Sequence, residues 1–146
     1  MYEAMIQITG EAGFEHYEVS NFARNQAYSM HNSGHWLGIA YLGKQLEIRD
    51  PAGWMRQCEE QGAGRTMVVN EEETKQELVV LGMRTKRGIE LERFKRLTNQ
   101  DLLAYVDADA LQASVAAGLV ILSPTRLSPT ERGMAVADEL VARLIP

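Results

Sequence analysis

The first nineteen residues follow the pattern of one helix, one glycine and one short strand. The spacing predicts a helix over 2–11, Gly13 fits its C-terminal end, and residues 14–19 alternate as a strand. This unit is half of a βαβ repeat, and a single strand cannot close a sheet. We therefore expect this part to depend on neighbouring strands that the chain does not itself contain.

Polar side chains stand at the end of that strand. Glu18, Ser20 and Asn21 occupy the position where α/β folds place contacts to a ligand. Serine and asparagine in such a place more often form caps and turns, so both roles stay open for them.

The stretch from residue 20 to residue 43 has no periodicity, and we expect it to be a functional loop. It contains the run HNSGHW, whose candidate residues are His31, Asn32, His35 and Trp36. Two histidines four apart on a helix can share a metal ion, but the Ser-Gly pair between them weakens a helix. Because no third ligand lies near in sequence, a zinc site within this run is not expected.

Two interpretations of these histidines remain. In one, an imidazole ligates iron or hydrogen-bonds a polar macrocycle, with Trp36 and Tyr41 as flat apolar walls. In the other, the histidines belong to a loop and are satisfied by its backbone.

The remainder of the chain is predicted to be mainly helical. Asn70 is a good N-cap ahead of three glutamates, and Gly118 fits the end of a helix. The predicted helices cover 51–61, 71–85, 89–97, 102–117 and 131–144, and the predicted strands cover 119–122 and 126–128. Three helices, a β-ribbon and a last helix, from residue 71 onwards, are the order of a winged-helix unit.

The charge balance argues against nucleic-acid binding by that unit. The chain has a net charge of −5 and an isoelectric point near 5.2. Residues 101–117, in the position of a recognition helix, contain three aspartates and neither lysine nor arginine, so this helix should repel phosphate. The basic residues cluster at 84–96 instead, and we expect the unit to serve in packing.

The sequence also argues against a cluster or disulfide held by this chain alone, against a membrane span and against a signal peptide. Cys58 is the one cysteine of the chain, and one thiolate cannot hold an iron–sulfur cluster or form an internal disulfide. The apolar runs fall far short of the ~20 residues that cross a bilayer. The acidic, amphipathic start of the sequence is unlike a signal peptide.

Several runs resemble the oxygen-independent coproporphyrinogen III oxidase-like radical SAM proteins, and most closely their heme chaperone branch. The run GFEHYEVSNFAR at 13–24, the residues His31, Asn32 and Trp36, and YLG at 41–43 follow that branch's order SNFA, HNxxYW, YLG. LGMRT at 81–85 is similar to the LGLRT segment that opens the family's C-terminal domain. Two features depart from the pattern: His35 replaces a tyrosine, and a glycine-rich segment ending in GAHG is missing after Gly43.

This resemblance implies an α+β fold in two parts. Residues 1–49 would be the terminal strand and helix at the edge of a radical SAM partial (β/α) barrel, and residues 50–146 a mainly helical, winged-helix-like domain. The sequence Asp50-Pro51-Ala52-Gly53 is typical of such a boundary. The family's cofactors are S-adenosylmethionine and a [4Fe-4S] cluster held by CxxxCxxC, a motif that this sequence lacks.

The resemblance also implies a function, and HNxxYW assigns heme handling to His31, Asn32 and Trp36, with His35 beside them. We expect the chain to be the C-terminal portion of a heme chaperone, a protein that binds and transfers heme. On its own, the chain should not cleave S-adenosylmethionine. Its partners would be heme or porphyrin and the missing N-terminal radical SAM region.

Two alternative functions remain: part of a coproporphyrinogen III dehydrogenase, or a winged-helix module that binds protein or nucleic acid. The expected compartment is the cytoplasm, or the mitochondrion for a eukaryotic parent. An exposed apolar edge where the barrel is cut predicts self-association.

Overall fold

The protein combines short helices with small antiparallel sheets, which confirms the α+β class. The computed structural model describes residues 2–36, 44–46, 55–56, 65–67 and 70–145, with the backbone alone at 35–36, 44–46 and 65–67. The helices are α1 (Tyr2–Glu11), α2 (Met30–Trp36), α3 (Glu71–Gly82), α4 (Leu91–Thr98), α5 (Leu102–Tyr105), α6 (Ala108–Ala116), α7 (Glu131–Ala135) and α8 (Ala137–Leu144). The strands are β1 (Glu15–Glu18), β2 (Asn21–Ala23), β3 (Lys44–Leu46), β4 (Arg65–Met67), β5 (Ile89–Glu90), β6 (Val120–Leu122) and β7 (Arg126–Pro129). Within these described segments, every helix is too short or too polar to traverse a bilayer.

The N-terminal helix and strand lie where the sequence predicts them. Gly13 ends α1 with a φ of 77°, a conformation that glycine adopts without strain. The expectation that β1 has no partner strand within the chain is wrong, because β2 pairs with it antiparallel, with Glu15 opposite Ala23. The connection between the two strands is too short for a parallel crossover, so the pair forms a hairpin.

Residues 30–36 form a helix where the sequence analysis expects a loop. The Ser29 hydroxyl accepts a hydrogen bond from the amide of Asn32 at 3.2 Å, and the Ser29 carbonyl accepts one from the amide of Ser33 at 2.9 Å. These are the bonds of an N-terminal cap, and they stabilise the first turn of α2 in spite of Gly34. α2 contacts α3, so this segment is held against the C-terminal part of the molecule.

Several predictions fall outside the described residues. Within the predicted helix 51–61 the structure describes Met55 and Arg56, which are helical. Tyr41, Cys58 and the boundary at 50–53 are not among the described residues, so the predictions made for them stand as predictions. β3 follows directly on Gly43 and pairs antiparallel with β4.

Asn70 begins α3 as predicted. Its side chain accepts a hydrogen bond from the amide of Glu73 at 2.7 Å, and the Glu73 carboxylate accepts one from the amide of Asn70, which completes a capping box. The helix ends at Gly82, three residues earlier than expected. The Thr85 hydroxyl explains this end, because it donates to the Gly82 carbonyl and accepts from the amide of Gly88, both at 3.2 Å.

Three predicted helices are divided by local features. Residues 89–90 join the sheet as β5 before α4 begins. The Asp107 carboxylate accepts a hydrogen bond from the amide of Ala110 at 2.7 Å and caps α6, so the predicted helix 102–117 becomes α5 and α6. Val136, at φ −125° and ψ 30°, leaves the helical region and separates α7 from α8.

A three-stranded antiparallel sheet and the surrounding helices form the main core. β7 lies in the centre of the order β5-β7-β6, and its Leu127 is fully buried between Ile89 and Leu122. The buried apolar residues of this core are Val79, Met83, Ile89, Phe94, Leu102, Tyr105, Val106, Leu111, Val120, Leu127, Leu140, Val141 and Leu144. The order of elements from α3 to α8 is helix, strand, helices, β-ribbon and helices.

Candidate functional site

The strand β1 joins the N-terminal segment to the C-terminal core. β2 covers one of its edges, and the turn after α3 covers the other. The amide of Val19 donates to the Arg84 carbonyl at 2.9 Å, and the amide of Lys86 donates to the Tyr17 carbonyl at 3.1 Å. The site described below therefore lies between two segments that are more than sixty residues apart in sequence.

A cavity of about 480 Å³ opens where β1, α2 and this turn meet. Its volume lies within the 300–1,000 Å³ range of small-molecule pockets. The residues that line it are Glu15, His16, Tyr17, Tyr28, Ser33, Thr85, Lys86 and Arg87. One wall is thus aromatic and carries a carboxylate, and the other is basic.

Two tyrosines form the aromatic wall. The rings of Tyr17 and Tyr28 stack with centroids 4.8 Å apart and planes inclined by 26°. The Tyr28 hydroxyl donates a hydrogen bond to the Glu15 carboxylate, and this bond raises the pKa of Tyr28 above its ordinary value. Because the carboxylate is engaged in this way, the tyrosine pair presents a largely fixed flat surface to the cavity.

The basic wall consists of Lys86 and Arg87, whose side chains are exposed. Thr85, between them and the strand, is buried and holds the turn in place through its two hydrogen bonds. Ammonium and guanidinium groups at the mouth of an aromatic cavity are suited to bind the carboxylate or phosphate of a ligand whose body lies on the rings.

The helix α2 brings the two histidines of HNSGHW to the same side of one helix. His31 and His35 lie one turn apart, and the helix forms here although Ser33 and Gly34 are expected to weaken it. The His31 side chain is exposed, and Ser33 lines the cavity. The side chains of His35 and Trp36 lie outside what the structure describes. Within the described part of the chain, no three His, Cys, Asp or Glu side chains converge as metal ligands.

The strand-end candidates Glu18 and Asn21 meet, whereas Ser20 does not join them. The Asn21 amide donates a hydrogen bond to one oxygen of the Glu18 carboxylate, and Ser20 is exposed in the turn between β1 and β2. Glu18 is fully buried, and its second carboxylate oxygen has no hydrogen-bond partner among the described residues. A buried oxygen in this state can accept a hydrogen bond from a group that is not part of the described structure.

His16 lies beside Glu18 on the buried face of β1. Its ring stacks on Phe22 with centroids 4.7 Å apart, and its Nε2 lies 3.3 Å from the Tyr2 hydroxyl of α1. Burial raises the pKa of Tyr2, and the nearby carboxylates of Glu131 and Glu18 raise it further. Tyr2, His16 and Glu18 thus form a polar cluster that ties α1 to β1.

Sequence reasoning missed the two walls of the cavity. Tyr17 alternates with His16 and Glu18 in the strand, so the period of two places it on the opposite face from them. Tyr28, Lys86 and Arg87 carry no such local signal, because their position depends on the contact between the hairpin and the turn after α3.

Comparison with known proteins gives consistent matches. Residues 69–136 match the HemN C-terminal domain. The chain is similar to proteins called "radical S-adenosyl methionine domain-containing protein 1, mitochondrial": it is 31% identical to that of Bos taurus, 28% to that of Mus musculus and 27% to that of Danio rerio. These alignments cover 99–100% of this chain and 38% of each relative, so the chain spans well under half of their length. No solved structure matches it.

Proposed function

Because the chain belongs to the HemN-like radical SAM family, we propose that it is the heme-contacting C-terminal portion of a heme chaperone. The observation that carries the proposal is the position of α2, on which residues 31 and 35 lie one turn apart and which contributes Ser33 to a cavity with an aromatic wall and a basic wall. The cargo would be heme, with the rest of the radical SAM region as the partner that completes the site. In a eukaryotic parent the compartment would be the mitochondrion, and otherwise the cytoplasm.

Each wall of the cavity suits one part of a heme. Neutral imidazole is a common ligand of heme iron, and His31 is accessible to supply it. The stacked Tyr17 and Tyr28 rings offer a flat apolar surface to the macrocycle. Lys86 and Arg87 would pair with the propionate carboxylates. Asn32, half-buried beside His31, would orient the helix.

The proposed organisation has a barrel edge over residues 1–49 and a winged-helix-like domain over 50–146. The order of elements from α3 to α8, in which the β6–β7 ribbon follows the four helices α3 to α6 and precedes the last helices, supports the second part. The helix in the recognition position, α6, contains Asp109, follows the cap Asp107 and has no basic residue. We therefore assign this domain to packing rather than to DNA binding.

The chain does not suit the family's own cluster. A [4Fe-4S] cluster needs several cysteine thiolates, and the sequence contains Cys58 alone. S-adenosylmethionine chemistry would belong to the remainder of a complete protein. Among the described residues, the second carboxylate oxygen of Glu18 is buried without a hydrogen-bond partner, so it is suited to receive a hydrogen bond from that remainder.

Titration of the chain with ferric heme, followed by the Soret band, tests the heme proposal. We expect a shifted Soret band for the unaltered chain and a binding constant weakened about tenfold or more in His31→Ala or His35→Ala, since an iron–imidazole bond is lost. Met30→Ala is the matched control, because Met30 is 90% exposed on the same helix and carries another potential iron ligand. Lys86→Gln should weaken binding of heme without altering its band position.

Two results would contradict this function. One is an unaltered Soret band and affinity in both histidine variants, which would leave α2 a structural element. The other is an equal loss in Met30→Ala, which would show that the loss of affinity is not specific to an imidazole.

A further inference from the structure

A second cavity lies in the groove between α3 and α4, and it shares Arg87 with the cavity beside α2. Its volume is about 190 Å³. Residues 87–90 and Arg126 of β7 line part of this groove. The remaining lining residues are Leu78, Gly82, Arg93, Phe94 and Leu97. We call this cavity the α3–α4 groove.

The floor of the α3–α4 groove is apolar and rigid. Phe94 and Ile89 are buried in the main core, and Leu97 is 50% exposed at the rim. Gly82 permits this geometry, because a Cβ atom there would lie 2.2 Å from Cγ1 of Ile89. The groove is slightly larger than a cavity of ~150 Å³ that takes up benzene, so it can hold an apolar group of about that size.

The rim of the groove carries more positive than negative charge. Three arginines and one glutamate line it, and the Glu90 carboxylate is already paired with Arg126 at 2.9 Å. Neither Arg87 nor Arg93 makes an ion pair or a side-chain hydrogen bond with any described residue. Partial burial lowers the pKa of Arg93, and repulsion from Arg96 and Arg87 lowers it further, while the Glu90 carboxylate acts in the opposite direction. An anion in the groove would relieve this repulsion.

We propose that the α3–α4 groove binds a small apolar carboxylate, with its carboxylate at Arg87 and Arg93 and its body on Phe94 and Leu97. Guanidinium groups form paired hydrogen bonds with a carboxylate, which fixes the orientation of the ligand. The apolar floor selects a ligand with a carbon body over a bare anion, and the rim selects a carboxylate over a neutral molecule of the same shape.

Benzoate is the probe that fits this groove, and a ¹H–¹⁵N NMR titration of the whole chain measures its binding. We expect the amide signals of Gly82, Gly88 and Ile89 to shift on saturation. Benzyl alcohol has a similar body without the charge, and inorganic phosphate has the charge without the body. Both should bind about tenfold more weakly than benzoate, since each lacks one half of the recognition.

Variants on α4 separate the groove from general electrostatics. Arg93→Gln should weaken benzoate binding about tenfold, which is the loss of one charge-assisted hydrogen bond. Lys95→Gln removes the same charge from the same helix, but Lys95 is exposed and paired with Asp101 at 3.1 Å outside the groove, so it should leave binding unchanged. Unaltered spectra away from the groove verify that each variant is folded.

Three outcomes would overturn the proposal. Equal affinity for benzyl alcohol would reduce the groove to an apolar cleft, and equal affinity for phosphate would reduce it to a basic surface. An equal loss of benzoate affinity in Arg93→Gln and Lys95→Gln would show that net charge alone attracts the anion. Arg87 lines both cavities, whereas Arg93 lines the groove alone, so Arg93→Gln should weaken benzoate binding and leave heme binding unchanged.

Discussion

Tyr105 connects the core to the first turn of α3 through a single hydrogen bond. Its ring packs in the core next to Phe94, with centroids 5.8 Å apart, and its hydroxyl donates to the Glu72 carboxylate at 2.7 Å. Burial raises the pKa of Tyr105, and the hydrogen bond and negative charge of Glu72 raise it further. Since both effects favour the protonated hydroxyl, this residue makes stability depend on pH in the alkaline range.

We predict that a Tyr105→Phe variant is less stable than the unaltered protein at neutral pH, and that this difference in unfolding free energy shrinks as pH rises. At pH 7 we expect it to lose about 1 kcal/mol of unfolding free energy, because the bond reaches a partly exposed carboxylate. Above about pH 10 the unfolded state releases the Tyr105 proton while the folded state still retains it, so the unaltered protein loses stability that the variant keeps. Urea unfolding of both proteins at pH 7, 9 and 11 measures the difference.

A control isolates the charge from the hydrogen bond in that experiment. Glu72→Gln retains an oxygen that accepts from the Tyr105 hydroxyl but removes the negative charge, so its pH dependence should be weaker than that of the unaltered protein. If the stability difference between Tyr105→Phe and the unaltered protein stays constant from pH 7 to pH 11, the raised pKa of Tyr105 is not a source of pH-dependent stability.

Two glycines in the turns between elements, Gly118 and Gly88, adopt a left-handed conformation but meet different surroundings. Gly118 has a φ of 67°, and a Cβ atom there would meet only the far end of the Arg132 side chain at 3.9 Å. Gly88 has a φ of 70°, and a Cβ atom there would lie 2.2 Å from the Leu127 carbonyl oxygen and 2.5 Å from Cα of Ser128. Gly88 therefore serves both the backbone turn and the close approach of that turn to β7.

Alanine at the two positions should separate these two requirements. Gly118→Ala is expected to cost about 1 kcal/mol of unfolding free energy, the strain of a left-handed conformation. Gly88→Ala should cost roughly 3 kcal/mol or fail to fold, because overpacking against the sheet adds to the same strain. Thermal unfolding followed by circular dichroism compares them, and similar losses at both positions would contradict the role of close packing at Gly88.

The same elements show how far local sequence signals reach. Asn70, Gly13 and Gly118 act on their immediate neighbours, so the ends that they set could be predicted. The cap at Asp107 is equally local but lies inside an apolar periodic run, and the periodicity concealed it. The pairing of β1 with β2 and the helix α2 were missed, because a strand partner and a short capped helix have weak signals in a single sequence.

In the candidate site, too, features set by residues near in sequence could be predicted, and features set by tertiary contact could not. The histidine spacing in α2 and the meeting of Glu18 with Asn21 involve residues near in sequence, which is why they could be identified as candidates. Lys86 and Arg87 join Tyr17 and Tyr28 only through tertiary contact between distant segments. No spacing or composition encodes that contact, so the cavity itself could not be predicted.

For the whole molecule, the hairpin adds little buried apolar surface compared with the main core. In the N-terminal segment, Ala23 is the one described apolar residue that is buried, and Met5 and Ile8 of α1 are exposed. The segment is held instead by the contact of α2 with α3 and by the two backbone hydrogen bonds that join residues 17 and 19 to the turn after α3. Local contacts of this kind are expected to open before the core does.

Hydrogen exchange of individual amides tests this order of opening. We expect the amides of Val19 and Lys86 to share one opening free energy, because they bond across the same junction, and this value should be lower than that of Met83 in the core. The opposite result would be a Lys86 amide that exchanges as slowly as that of Met83 while the Val19 amide exchanges like an exposed one. This result would show that the hairpin does not protect the turn.

The junction at β1 also bears on where such a protein can be shortened. The matched HemN C-terminal domain begins at residue 69, which invites an expression boundary there. A polypeptide started at that point would lose the strand that covers residues 84–86, leaving the Lys86 amide and the Arg84 carbonyl without their partners. It would also uncover Thr85, whose hydroxyl holds the end of α3. The boundary of the sequence family and the boundary of the stable folding unit are therefore different positions, and the hairpin belongs with the domain that it covers.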